Sequence, residues 1–300
     1  MTAGSLSPAS RRTLWTALAF ISPWIAGFCI FTVYPVVASL YYSFCDYDVL
    51  SRPIWVGLLN YREMGMDSVY WQSLGNTLVF SAISLPLGLS LALALALLLN
   101  QPVRARGLFR AVFYLPSLVP AVASAAVWLW IFNSRDGLLN QLLMAIGISH
   151  PPLWLDSPTW TKPALALVAV WGCGNTVVIF LAALQGVPRT LLEAAMIDGA
   201  SAWRRLWHVT LPAISPVIYF NLIIGIIGGL QTFVSAFVML TNGGPDRSAL
   251  FYAVYLYQNA FEFREMGYAC AMAWVLFLLT LALTWLASRA TRGFVHYQGE

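Results

Sequence analysis

The sequence predicts an all-α integral membrane protein with six transmembrane helices. Of its 300 residues, 60% are hydrophobic and only 9% are charged, whereas an average soluble domain is about 25% charged. A helix that crosses the hydrocarbon core of a bilayer needs about 20 apolar residues, and six segments without Asp, Glu, Lys or Arg meet this requirement. They span residues 15–37, 74–99, 111–132, 164–184, 214–240 and 268–287. Each is far longer than a barrel strand of about 10 residues, which excludes a membrane β-barrel.

The first segment begins soon after Arg11-Arg12, a pair that faintly resembles a secretory or twin-arginine signal. The apolar run that follows continues to about Phe44, whereas the apolar region of a signal peptide has only about 7–15 residues. No small-residue cleavage site closes the run. We therefore predict that this segment is retained as an uncleaved first span.

The second segment alternates leucine with small residues and in this respect imitates a strand. Its 26 residues favour a helix instead. On a helix, Ser84, Gly88, Ala92 and Ala96 share one face because they are four residues apart. A ridge of small side chains lets a neighbouring helix approach closely, so we predict that this face packs within the protein. The third to sixth segments are predicted as helices from their length and apolarity.

The charges in the loops predict the orientation. If the N-terminus is cytoplasmic, ten basic residues lie inside and six lie outside, as the positive-inside rule favours. Three acidic residues then lie inside and nine outside, so the net charge of +4 separates into +7 inside and −3 outside. Both termini are therefore predicted to be cytoplasmic.

The sequence lacks the patterns of several kinds of chemistry. The histidines are scattered over different loops and form no metal-binding cluster: His150, His208 and His296. There is no GxxxxGK[ST] motif and hence no P-loop ATPase site. No Ser/His/Asp or Cys/His arrangement indicates a catalytic site, and no CxxC pair is present. We therefore predict that the chain is not an enzyme, has no catalytic residue and holds no metal.

The loop between the fourth and fifth segments, residues 185–213, has the most informative local pattern. Thr190 precedes Glu193 by three residues, as in a capping box, so a helix should begin near Leu191. Gly199 is expected to end this helix, since glycine is common just after a helix C-terminus.

A second short helix should follow, capped by Ser201. It carries large apolar side chains, and Pro212 then leads into the fifth span: Trp203, Leu206 and Trp207. This helix–glycine–helix arrangement is called the knuckle below. An apolar cytoplasmic surface of this kind suggests a protein partner, while the alternative on local grounds is an amphipathic segment that re-enters the membrane surface.

The knuckle resembles the EAA loop of the permease subunits of bacterial binding-protein-dependent ABC importers. The pattern E-A-A-x-x-D-G-A is followed by an aliphatic residue and L-P at the family's spacing, and only Val209 departs from it, since the family usually has isoleucine there. The matching positions are Glu193, Ala194, Ala195, Asp198, Gly199, Ala200, Val209, Leu211 and Pro212. The resemblance implies the type I ABC importer permease fold, with residues 1–300 as a single transmembrane domain and 185–213 as its cytoplasmic coupling loop.

Other segments resemble the carbohydrate uptake branch of this family, the maltose, glycerol-phosphate and multiple-sugar permease type. They occur in the family's order: Val56-Gly57-Leu58, Asn60-Tyr61-Arg62, Asn76-Thr77-Leu78, Arg110 through Pro116, Gly137-Leu138-Leu139-Asn140 and Thr241-Asn242-Gly243-Gly244-Pro245. The resemblance implies ATP-driven import of a sugar, oligosaccharide or polyol by alternating access. A glycerol-phosphate-type importer is the alternative within the branch. An ion-coupled secondary transporter is the alternative from another class, although such proteins commonly carry ionisable residues within their spans.

The resemblance also implies a location and partners. The chain would be a multi-pass protein of the bacterial inner membrane, embedded in the lipid bilayer and without a nucleic-acid partner. Its partners would be a second homologous permease subunit, two ATP-binding cassette subunits and an extracytoplasmic solute-binding protein. ATP and Mg would be bound by the partner ATPase subunits, so this chain is expected to bind no cofactor itself.

In this family the EAA loop docks into a groove on the ATPase. The resemblance therefore implies a polar contact for Glu193, a capping or bracing role for Asp198, and positions at Ala194, Ala195 and Gly199 where bulk would prevent docking. The expected ATPase-coupling residues are Glu193, Ala194, Ala195, Asp198, Gly199, Ala200, Trp203, Leu206 and Pro212.

Polar residues near the middle of the fourth and fifth spans are the candidates for a substrate path. Amides hydrogen-bond to sugar hydroxyls, and aromatic rings cover the CH faces of a sugar. The candidates are Trp171, Asn175, Asn221, Gln231, Thr232, Phe233 and Ser235. Nearby glycines, including Gly172 and Gly174, favour either access to a cavity or close helix packing.

Overall fold

The computed structural model describes residues 8–102 and 104–291, which are predominantly helical. The helices are α1 Pro8–Phe28, α2 Tyr34–Tyr42, α3 Leu59–Met66, α4 Ser68–Leu99, α5 Arg106–Leu118, α6 Ala121–Ile131, α7 Leu138–Ala145, α8 Pro158–Trp171, α9 Gly174–Gln185, α10 Arg189–Ile197, α11 Ala202–Arg205, α12 Leu211–Leu230, α13 Val234–Met239, α14 Tyr252–Tyr257 and α15 Met266–Thr291. Three π-helical turns occur at Cys29–Val33, Leu206–Thr210 and Gln258–Glu262, and two 3-10 turns at Thr241–Gly243 and Pro245–Arg247. The strands β1 Cys45–Asp46 and β2 Ile54–Trp55 pair antiparallel, with Cys45 opposite Trp55.

The predicted number of spans agrees with these helices, but the third and fourth spans are sharply bent. Within residues 8–102 and 104–291, four segments are long and apolar enough to cross a membrane: Trp15–Tyr42, Ser68–Leu99, Ala202–Met239 and Met266–Thr291. Two helix pairs meet the same test together, and counting each as one span gives six. The pair α5 and α6 is bent by 98°, and the pair α8 and α9 by 48°. The predicted spans at 111–132 and 164–184 are therefore each formed by a bent pair of helices.

Local sequence explains the larger bend. Val119 has extended backbone (φ −73°, ψ 128°), which is the conformation that a following proline favours. Pro120 is the N-cap of α6 and, because it lacks an N–H, cannot continue the hydrogen bonding of α5. The bent pairs also begin earlier than predicted, so the helices include charged residues that the predicted spans exclude: Arg106, Arg110 and Lys162.

Residues 8–65 and 259–274 form one compact unit. Its hairpin is held by the buried Asn60, whose side-chain amide donates to the carbonyl oxygens of Ser43 (2.9 Å) and Cys45 (3.0 Å). The amide of Gly267 donates to Tyr47 at 3.0 Å. These bonds satisfy backbone carbonyls that the two-residue strands leave unpaired, so they fix the start of α15 beside the hairpin.

The loop between the two strands contains a local carboxylate turn. The Asp48 carboxylate accepts hydrogen bonds from the Ser51 hydroxyl (2.6 Å) and amide (2.7 Å) and from the Leu50 amide (3.0 Å). These bonds, with the Ser51 hydroxyl contributing most, hold the pKa of Asp48 below its ordinary value because they stabilise the charged form.

Residues 66–258 and 275–291 form the second unit, in which α4 is central. Three of the four residues on the predicted small-residue face of α4 are buried: Ala92 and Ala96 are fully enclosed, Ser84 is buried, and Gly88 is half-buried. The face packs against α9 and Ile214 of α12 in one apolar cluster that includes Val177, Phe180, Leu181 and Leu184. Because positions 92 and 96 carry only the small side chain of alanine, α9 approaches α4 closely.

Candidate functional site

The first helix of the knuckle is α10, and it begins two residues before the predicted start. Pro188 is its N-cap, and no side chain caps the helix there. Thr190 therefore lies inside the first turn, so the prediction of a capping box with Glu193 is wrong. The Pro188 carbonyl oxygen accepts a hydrogen bond from Leu191 N–H at 3.2 Å, which closes the first turn.

The turn after α10 satisfies the last carbonyl groups of the helix. Gly199 has φ +76°, its N–H donates to Met196 at 3.1 Å, and the Ala200 N–H donates to Ala195 at 2.9 Å. This pair of bonds is the Schellman motif, in which glycine adopts the left-handed conformation without strain. The prediction that Gly199 ends the helix is confirmed, and Asp198 occupies the C-cap position.

The second helix of the knuckle is continuous with the fifth span. The Ser201 hydroxyl accepts a hydrogen bond from Arg204 N–H at 3.4 Å, as predicted for an N-cap. The π-helical turn then joins α11 to α12, and Pro212 lies in the first turn of α12. The helix therefore runs without a break from Ala202 to Leu230.

Arg205 braces the glycine turn from the second helix. Its guanidinium donates to the Ala200 carbonyl oxygen at 3.1 Å. The sequence pattern implies this bracing role for Asp198 instead, whose exposed carboxylate lies at the C-cap. The negative end of the helix dipole lies at the helix C-terminus, so a carboxylate there is not stabilised by it. The positively charged Arg205 side chain is instead stabilised by the carbonyl oxygen to which it donates.

The knuckle exposes an apolar surface, defined here as the knuckle patch. Ile197 is 87% exposed, Trp203 67%, Trp207 52% and Met196 50%. The rings of Trp203 and Trp207 pack edge to face, with centroids 5.7 Å apart. Glu193, Ala194 and Asp198 are exposed on α10, while Ala195, Ala200, Leu206 and Pro212 are half-buried. Several large apolar side chains exposed close together in the sequence, with acidic residues among them, are typical of a protein-binding site.

The candidate path residues of the fourth span lie on either side of its break. Trp171 ends α8 and packs edge to face on Trp128, with centroids 5.8 Å apart. Asn175 is in the first turn of α9 and is exposed. Neither side chain is enclosed, so both are accessible from outside the chain.

Asn221 is placed differently from the other path candidates. It is only 5% exposed, and its amide donates back to the Val217 carbonyl oxygen at 2.9 Å. Gln231 lies ten residues further along the same span, a separation of about 15 Å on a helix. The candidates therefore do not form a single cluster.

A break in the fifth span groups the remaining candidates. α12 ends at Leu230 and α13 begins at Val234, so Gln231, Thr232 and Phe233 form the break itself. Gln231 is exposed, and Ser235 lies in the first turn of α13 and is half-buried. Interrupted helices at membrane depth expose backbone groups, which are tolerated where they face protein or a water-filled cavity.

Two features near this break were not predicted from the sequence. Phe237 stacks on Phe233 with centroids 4.9 Å apart, and Tyr257 packs against both rings, at 5.4 Å from Phe233 and 5.1 Å from Phe237. The two phenylalanines are four residues apart, and this spacing predicts that their side chains meet if the segment is helical. A cavity of about 450 Å³ is lined by Asn133, Ser134 and Asp156 together with apolar residues, and these polar residues lie outside the predicted spans.

The comparisons with known proteins assign the chain to a family. Residues 84–295 match the family of binding-protein-dependent transport system inner membrane components. The chain belongs to this family. It is thus a permease component of an ABC importer in the bacterial inner membrane, and the ion-coupled secondary transporter is no longer the competing interpretation.

Curated relatives extend over nearly the whole permease. The probable ABC transporter permease protein YesP of Bacillus subtilis is 40% identical over 293 residues, which cover 97% of this chain and 94% of YesP. The lactose transport system permease protein LacF of Rhizobium radiobacter is 35% identical, with 91% of this chain and 93% of LacF covered. The diacetylchitobiose uptake system permease protein NgcF of Streptomyces coelicolor is 34% identical, with 92% and 83% covered.

A solved structure shares the fold of the permease. A chain from a bacterial ABC transporter that imports the acidic polysaccharide alginate superposes with a TM-score of 0.83 at 23% identity. The superposition covers 95% of this chain and 98% of the other. The type I importer permease fold predicted from the knuckle is therefore confirmed.

Proposed function

We propose that this permease carries a sugar or oligosaccharide into the cytoplasm, using ATP that partner subunits hydrolyse. The relatives that support the solute class are permeases for lactose, arabino-oligosaccharides and diacetylchitobiose. The path candidates are uncharged amides, hydroxyls and aromatic rings, which suit a neutral polyhydroxylated solute. They offer no cation in the broken region of the fifth span for a phosphate.

The observation that carries the mechanism is the continuity of helix from the knuckle into the fifth span. ATP-driven closure of two ATPase subunits would move the knuckle patch, and the unbroken helix Ala202–Leu230 would carry that motion to the break at Gln231–Phe233. Glu193 supplies a polar contact to the ATPase, and the small side chains of Ala194 and Ala195 leave room for the ATPase surface to dock. Trp203 and Trp207 supply apolar area that docking would bury.

The remaining partners follow from the same assignment. A second permease subunit completes the translocation path, and an extracytoplasmic binding protein delivers the solute to the outer loops. Between Trp15 and Tyr42 no described side chain is buried by this chain, which suits a helix covered by lipid and by a neighbouring subunit. A related alginate transporter has been crystallised with its substrate-bound periplasmic protein.

Co-purification from the native membrane tests this proposal. A tagged chain should recover an ATP-binding cassette subunit in a stoichiometric complex, and proteoliposomes of the complex should accumulate solute only with ATP and the binding protein. Lactose, arabino-oligosaccharides and diacetylchitobiose should head the solute panel, screened first by thermal shift of the binding protein. Recovery of the chain without any ATPase would reject the proposal.

Removing the Gln231 amide is expected to weaken solute uptake. A double variant, Asn221→Ala with Gln231→Ala, should raise the KM for uptake by roughly threefold to tenfold, the effect of losing a hydrogen bond of about 0.5–1.5 kcal/mol. The single variants should divide this effect unequally, with Gln231→Ala carrying it, because Asn221 is buried and bonded within its own helix. ATPase binding should be unchanged in both.

The matched control for this prediction is Gln101→Ala, which removes an exposed amide from a loop outside the spans. Its uptake kinetics should equal those of the wild type. Unchanged kinetics in the double variant as well would remove both residues from the path.

A further inference from the structure

The second unit contains a cavity that the proposed transport mechanism does not use. Its volume is about 210 Å³, and it lies between α5, α9 and the end of α4. Most of its lining is apolar, and the polar side chains that line it are Arg110, Tyr114 and Gln185. No carboxylate lines it, so its charge is set by one guanidinium.

Arg110 enters this cavity without a counter-charge. Its Nε is enclosed and has no hydrogen-bond partner within the described residues. A buried cationic donor is unfavourable unless an acceptor satisfies it. The acceptor atoms that line the cavity, on Tyr114 and Gln185, are neutral, and none bonds to this Nε, so the arrangement calls for an anion from outside the chain.

The cavity lies at the cytoplasmic ends of the helices that form it. Leu99 is the last residue of α4 and Gln185 the last residue of α9, and both precede cytoplasmic loops. Arg104 and Arg106 stand close by in sequence, and residues 100–118 contain no Asp or Glu. A basic cluster immediately cytoplasmic of a membrane span is the arrangement that attracts anionic lipid.

The helix that carries Arg110 also offers an apolar surface beside the cavity. α5 exposes large side chains along its length: Leu108, Phe109, Val112, Phe113 and Leu115. A helix with arginines at one end and an exposed apolar face is typical of the membrane interface. The acyl chains of a lipid would cover this apolar face. An acidic side chain of a neighbouring protein, or a free phosphate, would leave it uncovered.

We infer that this cavity binds the phosphodiester headgroup of an anionic phospholipid from the inner leaflet. Arg110 provides the charge, the Tyr114 hydroxyl and Gln185 amide provide further donors, and the acyl chains lie along the exposed face of α5. The lipid thereby fills the space between α5 and α9 next to the start of the knuckle loop.

Native mass spectrometry of the full-length protein with its co-purifying subunits tests this inference without a transport assay. Protein delipidated in detergent is mixed with phosphatidylglycerol, phosphatidylcholine or inorganic phosphate. The wild type should retain phosphatidylglycerol in preference to phosphatidylcholine. Arg110→Gln should lower this retention by about tenfold, the effect of losing one charge-assisted hydrogen bond.

Three further variants separate the explanations. Arg110→Lys should keep part of the retention because the charge is kept, and Tyr114→Phe should lower it without changing charge. Arg135→Gln, which removes an exposed arginine from an outer loop, should have no effect. If Arg110→Gln does not fold, the phosphatidylglycerol retention of Arg110→Lys and Tyr114→Phe still tests the inference.

Several outcomes would overturn the inference. Equal retention of phosphatidylglycerol by the wild type and all Arg110 and Tyr114 variants would do so. Displacement of the lipid by millimolar inorganic phosphate alone would indicate a free-anion site. Loss of a neighbouring subunit from Arg110→Gln with lipid retention unchanged would indicate that a protein carboxylate fills the cavity.

Discussion

Replacing Gly199 with tryptophan is expected to leave the permease in the membrane but to uncouple it from ATP hydrolysis. Nothing lies within 4 Å of a Cβ built on Gly199, so attaching a side chain there causes no clash at its Cβ. The new side chain projects from the turn beside the knuckle patch, where an ATPase groove would close over it. The positive φ of Gly199 (+76°) adds backbone strain of about 1–2 kcal/mol for a residue with a Cβ.

Stimulated ATP hydrolysis in proteoliposomes measures this effect. In Gly199→Trp, the stimulation by solute-loaded binding protein should fall at least about tenfold, which corresponds to about 1.4 kcal/mol of lost coupling. Gly199→Asn is the matched control, because asparagine tolerates the left-handed conformation and adds much less bulk; it should retain most of the stimulation. Normal stimulation in the tryptophan variant would falsify the docking role of the turn.

The spans could be predicted from the sequence, but the bends within them could not. Length and apolarity locate all six spans because a bilayer imposes both. Proline does not locate the breaks by itself: Pro86, Pro116, Pro163 and Pro216 all lie inside helices, whereas Pro120 separates α5 from α6. The presence of proline therefore does not by itself show which position in the sequence becomes a break.

The knuckle shows the same division between local and non-local information. Glycine after a helical run predicts the turn at Gly199, and serine predicts the start of the second helix, because both preferences act within one turn. The continuity with the fifth span was not predicted, since Pro212 suggests an interruption. The π-helical turn resolves this: Leu211 N–H donates to the Leu206 carbonyl oxygen, which carries the helix past the N–H that proline lacks.

The substrate-path candidates are the least predictable part of the site. Polarity selects Asn221 and Gln231 equally, yet one amide is bonded to its own helix and the other is exposed at a break. A helical wheel does not reveal the break. The aromatic group of Phe233, Phe237 and Tyr257 likewise depends on α14 folding back beside α13, which no local pattern indicates.

Gly172 and Gly174 flank the break in the fourth span, and substituting Gly174 is expected to destabilise the protein much more than substituting Gly172. A Cβ on Gly174 would lie 2.8 Å from the Phe113 carbonyl oxygen and 3.1 Å from the Tyr114 Cα. These are backbone atoms of α5, so α5 and α9 must separate to admit a side chain. Gly174→Val should therefore destabilise the protein by about 1–3 kcal/mol, the usual cost of overpacking.

Gly172→Val is the matched control, because it adds the same side chain two residues away. Its Cβ would lie 3.5 Å from its nearest neighbour, the Ala169 carbonyl oxygen, which is ordinary van der Waals contact. Thermal unfolding followed by fluorescence-detected size exclusion should show a clear loss of Tm for Gly174→Val and little change for Gly172→Val. Equal losses would mean that both glycines serve backbone flexibility at the break, and that the close contact of α5 with α9 does not limit the side chain at position 174.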